Sequence, residues 1–133
     1  ATTAVERGMM TAMGAPNAMR GKSYSGNLSA REAHEMGLLH ILAADYHPAA
    51  ILEAVRILAK TDPDGLAGTA RLASLNPARA LGLTDRGTLA TGKRADLFVM
   101  DPQSRVVLTL RGGDVIHSNG TVEHLREELR TVA

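Results

Sequence analysis

Cysteine is absent from this 133-residue sequence, and aromatic residues make up only 2% of it. The absence of cysteine excludes a disulfide framework and a thiol nucleophile, and it makes a reducing, cytoplasmic location the expected one. No apolar run approaches the roughly 18 residues that a membrane span requires. We therefore expect no membrane partner, and a core that alanine, leucine, valine and methionine fill in place of aromatic rings.

The sequence also lacks a large net charge, because 15 basic residues nearly balance 14 acidic ones. No basic stripe interleaves with aromatic residues, which argues against nucleic acid as the main partner. Apolar residues make up 44% of the chain, an ordinary share for a globular protein. The length suffices for one domain with a real core.

Strand and helix patterns alternate in the first half of the sequence, which indicates parallel βα units and an α/β fold. Turn-rich segments separate the later apolar runs, which indicates a small antiparallel sheet. The predicted elements are strands over 9–13 and 40–44, a polar loop over 14–27, a helix that a Ser29–Glu32 capping box opens, a helix over 48–60, a further helix with Asp62 as its cap, strands over 95–101, 106–110 and 114–118, and a charged helical tail.

The polar loop carries the sequence RGKS at residues 20–23. A phosphate-binding loop of the G-x-x-x-x-G-K-[ST] type would need glycine at position 16, where this chain has proline. A looser interpretation is that the loop holds an anionic group at the end of a strand. A solvated connector explains the same residues equally well. The side chains available for an anion are Arg20, Lys22, Ser23, Ser25 and Asn27.

Asp45 follows the second predicted strand and precedes Pro48, which suits the first position of a helix. That placement makes His47 the cap and leaves Asp45 two residues too early to cap the helix. The carboxylate therefore has another role or is an ordinary turn residue. The histidines show no usual zinc spacing, and His34 and His124 are predicted to be solvated.

The stretch ASLNPARALGLTDRGTLATGKRADLFVMD, residues 73–101, resembles the C-terminal signature of the amidohydrolase superfamily. The resemblance implies the last two βα units of a TIM-like metal-dependent hydrolase barrel, followed by part of a small β-sandwich. The implied divisions are barrel units over 1–83, sandwich over 84–120 and a helical tail over 121–133.

Within that superfamily, MGAPNAMRGKSYSGNLSA and DYHPAA resemble the diphosphatases of phosphonate catabolism, which act on α-D-ribose 1-methylphosphonate 5-triphosphate. Tyr24 and Lys22 depart from the histidine and glycine common in that branch. The resemblance implies a phosphorylated small-molecule substrate and adds Asn17 to the loop residues that would bind it.

The resemblance also implies that Asp45 binds a divalent metal, with zinc expected, and accepts the proton of the attacking water. The remaining metal ligands would then lie before Ala1. On this interpretation the segment alone would be inactive, and it would form homo-oligomers or associate with the rest of the enzyme.

Two other functions fit the sequence. One is a C–N hydrolase of the same superfamily, such as a cyclic amidase or a deaminase, although a neutral ring would not need Arg20 and Lys22. The other is a non-catalytic assembly domain or a fragment without the metal site.

Overall fold

The computed structural model describes residues 1–20, 28–44 and 46–120. These residues divide into two compact units, one over Ala1–Thr88 and another from Leu89 onward. Within the described ranges, no helix is long and apolar enough to cross a membrane.

The first unit is built on two short parallel strands. Strand β1, Ala12–Gly14, pairs with strand β2, Ile41–Ala43, and Gly14 lies in register with Ala43. The predicted parallel pairing is confirmed, but each strand is shorter than its apolar run. Met9 and Met10 are 51% and 41% exposed, so the start of the first run lies outside the pair.

The helices of this unit cover the strand pair and form the core. Along the chain, β1 is preceded by helix α1, Thr2–Glu6. The segment that connects β1 to β2 contains α2, Ala15–Arg20, and α3, Ala30–Glu35, and β2 is followed by α4, Ala50–Leu58. The predicted apolar face of α4 is confirmed, with Ala54, Val55 and Leu58 buried and Ile51 packed against the core. Small buried side chains on α2 and α3 allow close packing: Ala15, Ala18, Ala30 and Ala33.

Helix α2 corrects the prediction of a loop over 14–27. The polar letters between Gly14 and Arg20 suggested an irregular segment, but Ala15 and Ala18 are completely buried. They are three residues apart and so lie on one face of a helix. Pro16 is tolerated because it sits in the first helical turn, where backbone N–H groups have no intrahelical acceptor.

The end of the first unit is helical. Helix α5, Gly65–Ala70, leads through a 3-10 turn at Arg71–Ala73 into α6, Leu75–Ala80. Asp62 is not the cap of α5, which corrects the prediction, because its Oδ1 accepts from the N–H of Asp64 at 2.7 Å and the helix begins at Gly65. Gly87 has φ +88°, and a Cβ there would lie 3.0 Å from Leu75 Cα, so α6 leaves room only for glycine.

The second unit contains a three-stranded sheet in the order β3–β4–β5. Its strands are β3, Leu97–Met100, β4, Val106–Arg111, and β5, Asp114–Ser118. Both pairings are antiparallel, and both contain a register irregularity. The predicted antiparallel sheet is confirmed.

Candidate active site

The carboxyl ends of the two parallel strands lie at one edge of the pair, because Gly14 and Ala43 are register partners and the last residues of β1 and β2. We call this the carboxyl edge. Helix α2 begins directly after β1, so Asn17 and Arg20 follow the carboxyl end of β1 by only a few residues. In α/β barrels, catalytic residues gather at the carboxyl ends of the strands.

Two of the predicted site residues fall within the described part of the chain. Arg20 is the last residue of α2 and is exposed. Asn17 is half-buried, and its Oδ1 accepts from the backbone N–H of Ala30 at 2.9 Å. The other predicted residues lie outside the described ranges: Lys22, Ser23, Ser25, Asn27 and Asp45.

The start of α3 is held by the predicted capping box, which is confirmed. Ser29 is buried, and its Oγ accepts from the N–H of Glu32 at 3.2 Å and donates to Glu32 Oε2 at 2.7 Å. The N–H of Ser29 donates to the same carboxylate oxygen at 2.9 Å. These bonds, the backbone one first, hold the pKa of Glu32 below its ordinary value of 4.5.

The opposite edge of the strand pair carries a second polar cluster. The hydroxyl of Thr11 donates to the carbonyl of Leu38, and its oxygen lies 3.0 Å from His40 Nδ1. Asn76, on α6, donates to the carbonyl of His40 at 2.9 Å. Because these residues lie at the amino ends of the strands, where barrels place stabilising contacts rather than catalytic ones, we interpret the cluster as structural.

His34 corrects the prediction of a solvated side chain. Its Nε2 lies 2.8 Å from Asp62 Oδ2, and the two side chains are only 13% and 10% exposed. The contact joins α3 to the segment after α4. The two residues lie far apart in sequence, so only the tertiary packing brings them together.

No group of three or more histidine, acidic or cysteine side chains with metal-binding geometry occurs in the described ranges 1–20, 28–44 and 46–120. The described residues therefore do not fit a metal centre by themselves.

The Asn17–Ala30 bond is the feature of this region that the sequence did not predict. The resemblance of the loop motif implies the substrate as the partner of Asn17, whereas the structure gives it a partner within the protein. The bond joins α2 to α3 across the polar segment. No local pattern signals it, because it depends on how the two helices pack.

The sequence matches the model of the amidohydrolase family over residues 4–122. It is 46% identical over 96 residues to the alpha-D-ribose 1-methylphosphonate 5-triphosphate diphosphatase of Escherichia coli (strain K12). This match covers 71% of the present chain and 25% of the diphosphatase. It is 53% identical over 53 residues to the imidazolonepropionase of Ruegeria pomeroyi. That match covers 40% of the present chain and 12% of the imidazolonepropionase.

The fold has counterparts among solved structures. The beta-aspartyl dipeptidase of Fervidobacterium islandicum AW-1 gives a TM-score of 0.66 in complex with a beta-Asp-Leu dipeptide, and a second structure of the enzyme gives 0.67. Identity is 23% in both, and the matches cover 86% and 87% of this chain but 34% and 33% of the dipeptidase. The likeness shows that this chain shares its fold with part of the dipeptidase. The chain spans about a quarter of the diphosphatase's length.

Proposed function

The chain belongs to the amidohydrolase family, and from that membership we propose that it forms the last two βα units and part of the β-sandwich of a hydrolase that releases pyrophosphate from a ribose methylphosphonate triphosphate. The observation that carries the proposal is the 46% identity over 96 residues to a diphosphatase with that substrate. The parallel pairing of β1 and β2 supports the barrel assignment, because barrel strands are parallel.

The proposed chemistry is hydrolysis of the bond between the first and second phosphates of the substrate. The oxygen of water bonds to phosphorus, the bond to the bridging oxygen breaks, and pyrophosphate leaves. One proton must leave the attacking water, and we assign its acceptance to the carboxylate of Asp45, which follows β2 by two residues in sequence. Members of this family are generally metal-dependent, and Asp45 is also the proposed ligand of a divalent metal, zinc being the expected one.

Substrate charge supports the assignment of the polar loop to phosphate binding. Arg20 and Lys22 carry positive charge, and Ser23, Ser25 and Asn27 supply hydrogen-bond donors. Cationic donors bind phosphate oxygens more strongly than neutral donors do. A triphosphate would therefore be favoured over a neutral ring at this loop.

Hydrolysis of a cyclic C–N bond is the second candidate function. The 53% identity to an imidazolonepropionase favours it, although that match covers only 53 residues. A carboxylate that accepts a proton from water would serve either reaction, so Asp45 does not discriminate between them. The loop favours the phosphorylated substrate by degree, since a triphosphate carries several negative charges and imidazolonepropionate has a single carboxylate.

The test compares both substrates on the complete protein that carries this chain. We expect pyrophosphate from the ribose triphosphate and no opening of imidazolonepropionate, and Asp45→Asn should remove most of the turnover while leaving the fold intact. Asp114→Asn is the matched control, because Asp114 is an exposed aspartate at the start of β5. Ring opening without pyrophosphate release, or normal turnover of Asp45→Asn, would refute the proposal.

A further inference from the structure

The hydrogen bond between Asn17 and Ala30 joins the helix before residues 21–27 to the helix after them. Asn17 belongs to α2 and Ala30 is the first residue of α3, and the bond spans 13 residues of sequence. Because the partner is a backbone N–H, the side-chain atom that faces it is the carbonyl oxygen. The oxygen is therefore already engaged within the protein.

The N–H of Ala30 depends on this acceptor. The first backbone donors of a helix have no intrahelical partner, and Ala30 is completely buried. In the first turn of α3, Ser29 Oγ serves the N–H of Glu32, and Asn17 Oδ1 serves the N–H of Ala30. Loss of the Asn17 oxygen would leave a buried donor without its partner, which is costly.

Both helices that this bond joins are fixed within the first unit. On one side, α2 is fixed by the buried Ala15 and Ala18. On the other, α3 is fixed by the Ser29–Glu32 capping box. The bond from Asn17 to Ala30 joins the two anchors directly.

We propose that Asn17 is a positioning residue, which holds α2 against the first residue of α3 and does not itself contact the substrate. The inference rests on the proposed function for the role of the loop. It changes the role of Asn17 from substrate ligand to internal acceptor. Its consequence is that a side chain needs only an oxygen acceptor at position 17, not an amide donor.

Two substitutions in the complete protein separate these roles. Asn17→Asp keeps an oxygen acceptor for Ala30 and removes the NH2 donor, and a carboxylate near the start of α3 suits the helix dipole. Asn17→Ala removes both. A residue that donates to phosphate would be damaged at least as much by aspartate as by alanine, because aspartate adds repulsion. A positioning residue would be rescued by aspartate.

The first measurement is steady-state pyrophosphate release. We expect Asn17→Ala to raise KM roughly tenfold, as an unsatisfied buried donor implies, with a smaller effect on kcat, and Asn17→Asp to stay near the parent value. Met19→Ala is the matched control, since Met19 lies on α2 with 38% exposure.

The second measurement is hydrogen exchange of the Ala30 amide, which requires no activity. Asn17→Ala should expose that amide to exchange, whereas Asn17→Asp should keep it protected. Unchanged protection in Asn17→Ala, an unchanged KM, or an aspartate variant as impaired as the alanine variant would each overturn the proposal. If the parent protein releases no pyrophosphate, the proposed function fails, and the exchange data still decide whether Asn17 holds α3.

Discussion

The two units of this chain are stabilised by different means. In the first, helices bury a continuous cluster around the strand pair, with Leu58 completely buried at its centre. In the second, Val107 is the one buried apolar side chain among residues 89–120, and Phe98 and Ile116 are 51% and 61% exposed. Sheet order there depends on turns and their polar contacts.

The polar contacts of the second unit fasten its two hairpins. Asp101 Oδ1 accepts from the N–H of Arg105 at 2.8 Å between β3 and β4. Asp96 Oδ1 accepts from the N–H of Gly112 at 2.7 Å beside the turn between β4 and β5. Packing therefore sets the tolerance of the first unit to substitution, and turn geometry sets the tolerance of the second.

The largest difference is expected for truncation of apolar side chains. Leu58→Ala creates a cavity in a filled core and should lower the free energy of unfolding by about 2–5 kcal/mol. Phe98→Ala removes a larger side chain, but one that is half exposed, so we expect a clearly smaller loss. Urea denaturation of the 133-residue chain, followed by circular dichroism, measures both. Equal losses would contradict the contrast between the units.

A smaller effect is expected from adding one methyl group to α5. Glycine to alanine in a helix usually stabilises it by roughly 1 kcal/mol. A Cβ at Gly68, however, would lie 2.2 Å from Asp62 Oδ1, the side chain that also pairs with His34. We expect Gly68→Ala to destabilise the chain by about 1–3 kcal/mol.

Thermal unfolding decides the sign of the Gly68→Ala effect. Ala70→Gly is the reverse control in the same helix, since it should cost only the ordinary helix propensity. A Gly68→Ala variant more stable than the parent would show that Asp62 moves aside freely.

Replacing a side chain by glycine should stabilise the second unit, whereas adding a methyl group at Gly68 should destabilise the first. Ser104 has φ +64° in the turn between β3 and β4, a conformation that L-residues adopt at a cost. Ser104→Gly should relieve that cost, offset by the greater freedom of glycine in the unfolded chain. We expect a gain of at most about 1 kcal/mol, measurable as a raised Tm. A loss would mean that the serine side chain stabilises the turn.

The smallest effect is expected from acid titration. The pKa of Glu32 lies below its ordinary 4.5, and the N–H of Arg105 chiefly lowers the pKa of Asp101 below its ordinary 3.8. Each ionised group contributes stability in full above its ordinary pKa, and loses it as pH falls through the lowered value. Glu32 is exposed, and Asp101 faces the exposed guanidinium of Arg105, so solvent screens both contributions and keeps them small.

Charge-neutral variants separate the two contributions. Glu32→Gln and Asp101→Asn should each reduce stability near neutral pH and converge with the parent in acid. Unfolding curves at several pH values supply the comparison. A parent and variant that differ equally at every pH would assign the effect to shape and not to charge.

Sequence patterns predicted the elements that local signals define. The capping box at Ser29 and the apolar face of α4 follow from residue spacing, and the three later strands follow from apolar runs separated by turns. The patterns failed where tertiary contacts decide. Helix α2 forms because Ala15 and Ala18 pack inside, and His34 is shielded because Asp62 approaches it from a distant segment.

The sequence predicted where the candidate site lies better than it predicted which atoms contact each other there. The parallel pair brings the ends of β1 and β2 to one edge, as alternating strands and helices implied. Sequence motifs could predict that Asn17 is a polar residue close to that edge. They could not reveal that its oxygen faces Ala30, because a hydrogen bond between helices depends on their packing.

The hydrogen bond from Asn76 to the carbonyl of His40 has a consequence for the order of folding. It spans 36 residues, whereas the hairpins of the second unit close over a few. Contacts distant in sequence form more slowly, because a longer loop must be closed before they give any stabilisation. We therefore expect the β3–β5 meander to gain its hairpins early and α6 to dock onto β2 late, so that newly made chains pass through a state with the first unit still open.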